Sequence, residues 1–216
     1  MKRDNRISKS ELARLKKLCI FEENARQRGY KNIAGIDEAG RGPLAGPVVI
    51  AACILPSDLY VKGIDDSKKL TPDERVRIFD QLISNPDICF SISVIDVNTI
   101  DQINILRATF KGMLEVVEQL KIQPDYLLVD GSMIPSFKIP SEAIIKGDGL
   151  SQSIAAASII AKVTRDRMML QYHEQWPQYG FDSHKGYATP QHMEAIEKHG
   201  PSSIHRMSFE PVKSNF

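Results

Sequence analysis

Residues 35–46 read GIDEAGRGPLAG, and this stretch decides the fold because it ends a strand, plants two acids and turns the chain. The run leading into the acids, IAGI, is apolar and suited to a buried strand. GPVVIAACIL forms a second β-branched run beyond the glycine turn. Asp37 and Glu38 therefore stand at the end of an apolar strand, where two adjacent carboxylates have no folding purpose. Gly40-Arg41-Gly42 would suit a phosphate, which carboxylates repel unless something cationic stands between them. The turn lacks the G-x-G-x-x-G order, and no G-K-[ST] follows, so a nucleotide-binding fingerprint is absent.

Working outward, SKSELARLKKLCIFEENARQRG has helical spacing, with Leu12, Leu15, Leu18 and Phe21 on one stripe and Gly29 as its stop. It reads as an N-terminal helical extension over residues 1–30, ahead of a main domain spanning 31–216. TPDERVRIFDQLI opens with a capping box, Thr71 to Glu74, and Pro72 at the first helical position. ICFSISVI is the next strand. VNTIDQINILRATFKGMLEVVEQL reads as one long amphipathic helix with Ile103, Leu106, Phe110, Leu114 and Val117 along one side. DYLLVDG and EAIIKGDG are short strands with Asp130 and Asp148 at or just past their ends. SQSIAAASIIAKVTRDRMMLQYHEQW is a helix, small and apolar at first and basic later, and TPQHMEAIEKHG is the final capped helix. Strands followed by strands alternating with helices predict an α/β domain with a mixed central sheet flanked by helices.

The chain of 216 residues carries a formal net charge of only +1, so the location of charge matters more than its sum. Basic clusters lie in MKRDNRISKSELARLKK and in IIAKVTRDR. Cys19, Cys53 and Cys89 are odd in number without C-x-x-C spacing, which fits free thiols in a reducing compartment. No leader-like apolar run and no stretch long enough to span a membrane is visible, so a cytoplasmic protein is expected.

Three strands thus end in acids: Asp37 with Glu38, Asp130, and Asp148. In open α/β sheets, sites gather at the carboxyl ends of strands. Taken singly, Asp130-Gly131 or Asp148-Gly149 reads as a capped turn. Together, four converging carboxylates cannot all stay ionised as bare neighbours. Oxygen donors with few nitrogens or sulfurs select Mg²⁺ or Mn²⁺, and such a cation also bridges carboxylates to phosphate.

The motifs GIDEAGRGPLAGPVV, DDSKKLT, LLVDG, IIKGDG, AAASIIAKVTRDR, WPQYGF, HKGYAT and HRMSFEPV stand in the order of bacterial ribonuclease HII, which the chain resembles from Asn32 to Val212. The loop and larger N-terminal domain expected of ribonuclease HIII are not visible. The resemblance implies a ribonuclease H-like fold and a metal-dependent endonuclease that cuts 5′ of ribonucleotides in RNA–DNA hybrids and of single ribonucleotides embedded in duplex DNA. Products would carry 3′-hydroxyl and 5′-phosphate ends. Asp37, Glu38, Asp130 and Asp148 match the family's catalytic carboxylates. Gly40, Arg41 and Gly42 match the motif that senses the ribose 2′-hydroxyl, and Tyr187 the tyrosine packed on the following deoxyribose.

Beyond those positions, Ser67 and Lys68 suit a phosphate contact, and Ser158, Lys162 and Arg165 lie at helical spacing suited to a backbone-tracking helix. Asp166 is expected to pair with Arg165 or Arg167. The five histidines show no metal-ligand pattern, which leaves surface or hydrogen-bonded roles. Met168, Met169 and Phe181 are expected in the core. A monomer acting on nucleic acid is expected. The rival readings are a non-catalytic nucleic-acid binder whose acids cap turns, and another nuclease on the same fold, selective for long hybrids or DNA junctions.

Overall fold

The computed structural model describes residues 7–215. Helices α1 (Lys9–Leu18) and α2 (Ile20–Gln27) come first. The single N-terminal helix predicted from spacing is therefore two, because Cys19 leaves helical geometry and serves as the end of one and the start of the other. Leu15 and Leu18 are buried, whereas Leu12 and Phe21 are half-buried. Next come β1 (Ile33–Ala39), β2 (Val48–Ile54), α3 (Pro72–Ser84) with its capping box in place, and β3 (Cys89–Ile95).

The long helix expected after β3 is also two, α4 (Val97–Ile103) and α5 (Ile105–Gln119). Asn104 sits at φ 65°, ψ 163°, a conformation outside any helix, and its side chain accepts the Arg107 N–H to cap α5. The break resets the helical phase. The face α5 buries is Ala108, Thr109, Gly112, Met113 and Val116, and Leu114 of the predicted stripe is exposed.

β4 (Tyr126–Asp130) and β5 (Ser141–Ile144) complete the sheet, in the order β3-β2-β1-β4-β5. β1–β2 and β2–β3 are antiparallel, and β1–β4 and β4–β5 parallel, which gives the mixed sheet. α6 (Gln152–Gln175) crosses one face, where Ala155, Ala156, Ala157, Ile159 and Ile160 pack on Val49, Ala51 and Cys53. The small residues matter because Gly35 of β1 lies against the backbone of Ser153, where a Cβ would come 2.1 Å from its carbonyl carbon. α5 covers the other face, packing on Ile36, Ile50 and Ala52.

Beyond α6 lie α7 (Phe181–His184), α8 (Pro190–His199) and a further short helix, α9 (Val212–Asn215), so α8 is not the last. Leu44, Met169, Tyr179, Phe181 and Ile196 form a smaller apolar cluster there, with Met168 packed against the α6 face of the sheet. The three cysteines are buried free thiols. Among the described residues, no helix is long and apolar enough to cross a membrane.

The N-terminal helices are fastened to the rest through Glu22. Its Oε1 accepts from the Ser151 hydroxyl at 2.6 Å and from the Ser153 amide and hydroxyl at 2.9 and 2.7 Å. These groups open α6, so a buried carboxylate stands at the positive end of the longest helix.

Candidate active site

The topology brings β1 and β4 side by side in the middle of the sheet, parallel, so their acids emerge at the same edge. Side chains alternate along β1. Asp37 therefore leaves on the α6 side with Gly35, and Glu38 on the α5 side with Ile36. A cleft of about 420 Å³ opens at this edge, lined by Asp37, Glu38, Asp130, the Gly40–Gly42 turn, Ser67, Lys68, Ser158, Lys162, Arg165 and Tyr187. Every catalytic or substrate-contacting residue expected from sequence lies on this lining except Asp148, which is buried behind it and receives the Lys68 ammonium at 3.1 Å. Asp148 sits in the 3₁₀ turn Gly147–Gly149, after Lys146 in a left-handed conformation.

The carboxylates are held in electrostatic tension. Burial lifts the Asp37 carboxyl well above the usual carboxylate range, and the charges of Glu38 and Asp130 push the same way, against the Ser158 hydroxyl and the Glu38 amide. Burial raises Glu38 as well, opposed by the Arg41 guanidinium at 3.3 Å. Asp130 is raised by burial and by Asp148, although the Gly147 N–H donates to it at 2.6 Å. For Lys68, burial works against the charge, yet the Asp148 carboxylate keeps its pKa above the ordinary lysine value.

Among the described residues no three acidic, histidine or cysteine side chains are already gathered into a metal cage. The donor set nonetheless fits a hard divalent cation: oxygen only, buried at Asp37 and half-buried at Glu38 and Asp130, and pushed toward protonation by burial and mutual repulsion that such an ion would relieve. Asp37, Glu38 and Asp130 would be its ligands, with Asp148 available once Lys68 swings away.

The basic residues divide differently from expectation. Lys68 is well exposed, while Lys162 is partly buried and pairs with Asp166 at 2.7 Å, so Asp166 answers Lys162 rather than its arginine neighbours. Ser67 and Ser158 share a hydrogen bond of 3.0 Å at the cleft floor. Arg165 is only 1% exposed and spends its donors on backbone carbonyls, so it is not a free phosphate fork. Tyr187 is exposed and stands over the turn, its Cε1 3.6 Å from where a Gly42 Cβ would be. Sequence reasoning gave no role to Arg206, fully buried and bonded to the carbonyls of Gly40, Arg41 and Gly46. His184, His192 and His205 are buried hydrogen-bonded rings, not surface groups.

Residues 34–212 match the family model of ribonuclease HII. The chain belongs to the ribonuclease HII family. The Chlamydia pneumoniae ribonuclease HII is 53% identical over 204 residues, covering 94% of this chain and 95% of that one. The Acetivibrio thermocellus protein is 54% identical over 199 residues, 92% of this chain and 77% of its own length. Among solved structures, the ribonuclease H2 from Pyrococcus horikoshii OT3 superposes with a TM-score of 0.71 at 28% identity, covering 85% of this chain and 96% of that one. An Archaeoglobus fulgidus ribonuclease HII, solved in complex with PCNA, gives 0.72 at 26%, covering 83% and 95%. The family assigns the ribonuclease H-like fold and a metal-dependent endoribonuclease that hydrolyses RNA in RNA–DNA hybrids.

Proposed function

We propose that this ribonuclease HII cuts on the 5′ side of a ribonucleotide, including a single one embedded in duplex DNA, and leaves 3′-hydroxyl and 5′-phosphate ends. The observation that supports this best is the shared wall of the cleft, where the Gly40–Gly42 turn and the Tyr187 ring stand together beside the carboxylates. A 2′-hydroxyl is the feature that distinguishes RNA from DNA at one residue, and a backbone turn can read it without reading a base. Tyr187 then packs on the following sugar, where a second hydroxyl would crowd the ring.

Asp37, Glu38, Asp130 and Asp148 hold Mg²⁺ or Mn²⁺ in this reading. The bound ions would supply a polarised water and stabilise charge on the departing 3′-oxygen. The chain's own residues do the rest. Lys68 holds Asp148 until substrate arrives, and Ser67 with Ser158 fixes the floor beside Asp37. Lys68, Lys162 and Arg41 present positive charge to phosphates along the cleft. Among the described residues lining the cleft, Ser67 and Ser158 have no histidine beside them to act as a base, which agrees with direct hydrolysis. The protein works as a monomer in the cytoplasm, which light scattering on the purified chain tests for oligomeric state.

The deciding experiment incubates the protein and Mg²⁺ or Mn²⁺ with a DNA duplex carrying one labelled ribonucleotide. A single cut 5′ of that residue, with a 5′-phosphate on the ribonucleotide fragment, is the expected product. Cutting of long hybrids alone, with the embedded ribonucleotide left intact, would overturn the proposal.

A further inference from the structure

The two largest fully buried side chains are both arginines, Arg165 and Arg206. Among the described residues neither forms an ion pair with a carboxylate. Their charges are solvated by peptide oxygens, all but one of them in the Gly40–Pro47 segment. Arg165 donates through Nε to Pro47, through Nη2 to Ala45 and through Nη1 to Lys185, each at 3.0 Å. Arg206 donates through Nε to Gly46 at 3.0 Å, through Nη1 to Arg41 at 2.9 Å, and through Nη2 to Gly40 at 2.5 Å and Gly46 at 2.8 Å. The ring of Phe209 covers its far side, 4.9 Å away.

A fastener for a turn does not need two cations; neutral donors would do, and buried charge without a counter-ion is costly. The direction of the bonds says what the arrangement achieves. In a planar trans peptide the C=O and the following N–H point in opposite directions. Arg206 draws in the carbonyls of Gly40 and Arg41, so the amides of Arg41 and Gly42 must face the other way. Among the described residues neither amide is spent on a protein acceptor. Gly40 presses so closely on Arg165 that a Cβ would lie 2.1 Å from its Nε, which leaves this turn no room to rotate. Arg165 also holds the Lys185 carbonyl, and the Leu44 amide holds that of Gly186, so the Tyr187 loop is built on the same block.

We infer that Arg206 and Arg165 are positioning residues for ribonucleotide recognition, acting through the Gly40–Gly46 segment. They turn its carbonyls inward, present the Arg41 and Gly42 amides as a paired donor site, and place two unneutralised positive charges behind that site. The ligand of this site is the ribose hydroxyl of a ribonucleotide together with its phosphate. The inference rests on the proposed reading of the turn as the ribose sensor, and adds which residues aim it.

The test is made in an Asp130→Asn background, where cleavage is stopped and binding can be read by fluorescence anisotropy. Duplexes carrying one ribonucleotide, or the matching deoxyribonucleotide, are compared for the parent, Arg206→Lys and Arg165→Lys, each with a melting curve. Each lysine keeps charge but loses the fork, so the ribo-to-deoxy affinity ratio should fall about tenfold, the effect of roughly one misaimed hydrogen bond. A lower melting temperature with an unchanged ratio would show that the arginines only support the fold. A parent with no ribo preference would instead refute the ribose-sensor reading itself. A second measurement needs no variant at the arginines. In the parent, amide hydrogen exchange at Arg41 and Gly42 should be fast in the free protein and slowed by the ribonucleotide duplex more than by the all-DNA one. Amides already protected without substrate would overturn the inference.

Discussion

Asp37 is a carboxylic acid that burial, and then the charges of Glu38 and Asp130, drive toward its neutral form. A carboxyl whose folded pKa lies above its unfolded value adds stability at low pH, and that contribution is lost as pH climbs from the ordinary range near 4 through the raised value. Asp37→Asn removes the penalty together with a proposed metal ligand. It should abolish cleavage while raising the melting temperature in metal-free buffer at neutral pH, by about 2–4 °C for each kcal/mol relieved. The difference from wild type should vanish toward acid pH. Saturating Mg²⁺ should raise the wild-type melting temperature and not that of the variant. Calorimetry across pH, with and without metal, reads all of this; a variant less stable than wild type at neutral pH would contradict it. At Tyr187 the consequence is kinetic. Stacking worth roughly 1–3 kcal/mol predicts that Tyr187→Ala slows cutting at an RNA–DNA junction by about 10–100-fold, and Tyr187→Phe much less. Cutting within a long hybrid should slow less, which a single-turnover comparison of both substrates would show. Equal losses on the two would mean the ring serves only the fold.

At the scale of elements, the contact between β1 and α6 is the tightest constraint on the site. Gly35 and the Ser153 backbone touch, and Asp37 and Ser158 face one another across the same seam. Gly35→Ala must push the helix away, so it should cost about 3 kcal/mol or more and reduce both urea stability and cleavage. Gly112, against Ile50 on the other face, should behave similarly but more mildly, because a side-chain tip can yield where a backbone cannot. The small-residue start of α6 was legible from sequence, but its seat on Gly35 of β1 was not, since a strand glycine does not name the element that packs against it. Nor were the breaks at Cys19 and Asn104. Both interrupt apolar spacing that continues across them, and the Asn104 cap depends on a backbone conformation that no composition announces. The acids were legible because strand ends are. Arg165 and Arg206 were misread or passed over because sequence shows a guanidinium's charge but not its burial.

For the molecule as a whole, a net charge of +1 hides a local surplus along the cleft. Affinity for duplex should still fall steeply with salt, by a slope of about −0.9 for each phosphate neutralised. Lys162→Ala should flatten that slope by about one unit without changing ribonucleotide preference, although the lost Asp166 contact will trim stability slightly. An unchanged slope would place Lys162 away from the nucleic acid. The order of the sheet carries one more consequence. The two central strands that bring Asp37 and Asp130 together are separated in the chain by β2, α3, β3, α4 and α5, and Asp148 follows later still. Parallel pairing over such a separation closes late, after its intervening elements exist. A chain emerging from the ribosome therefore carries its first acids long before it can gather the set. The acidic site stays incomplete until synthesis has passed the last of them.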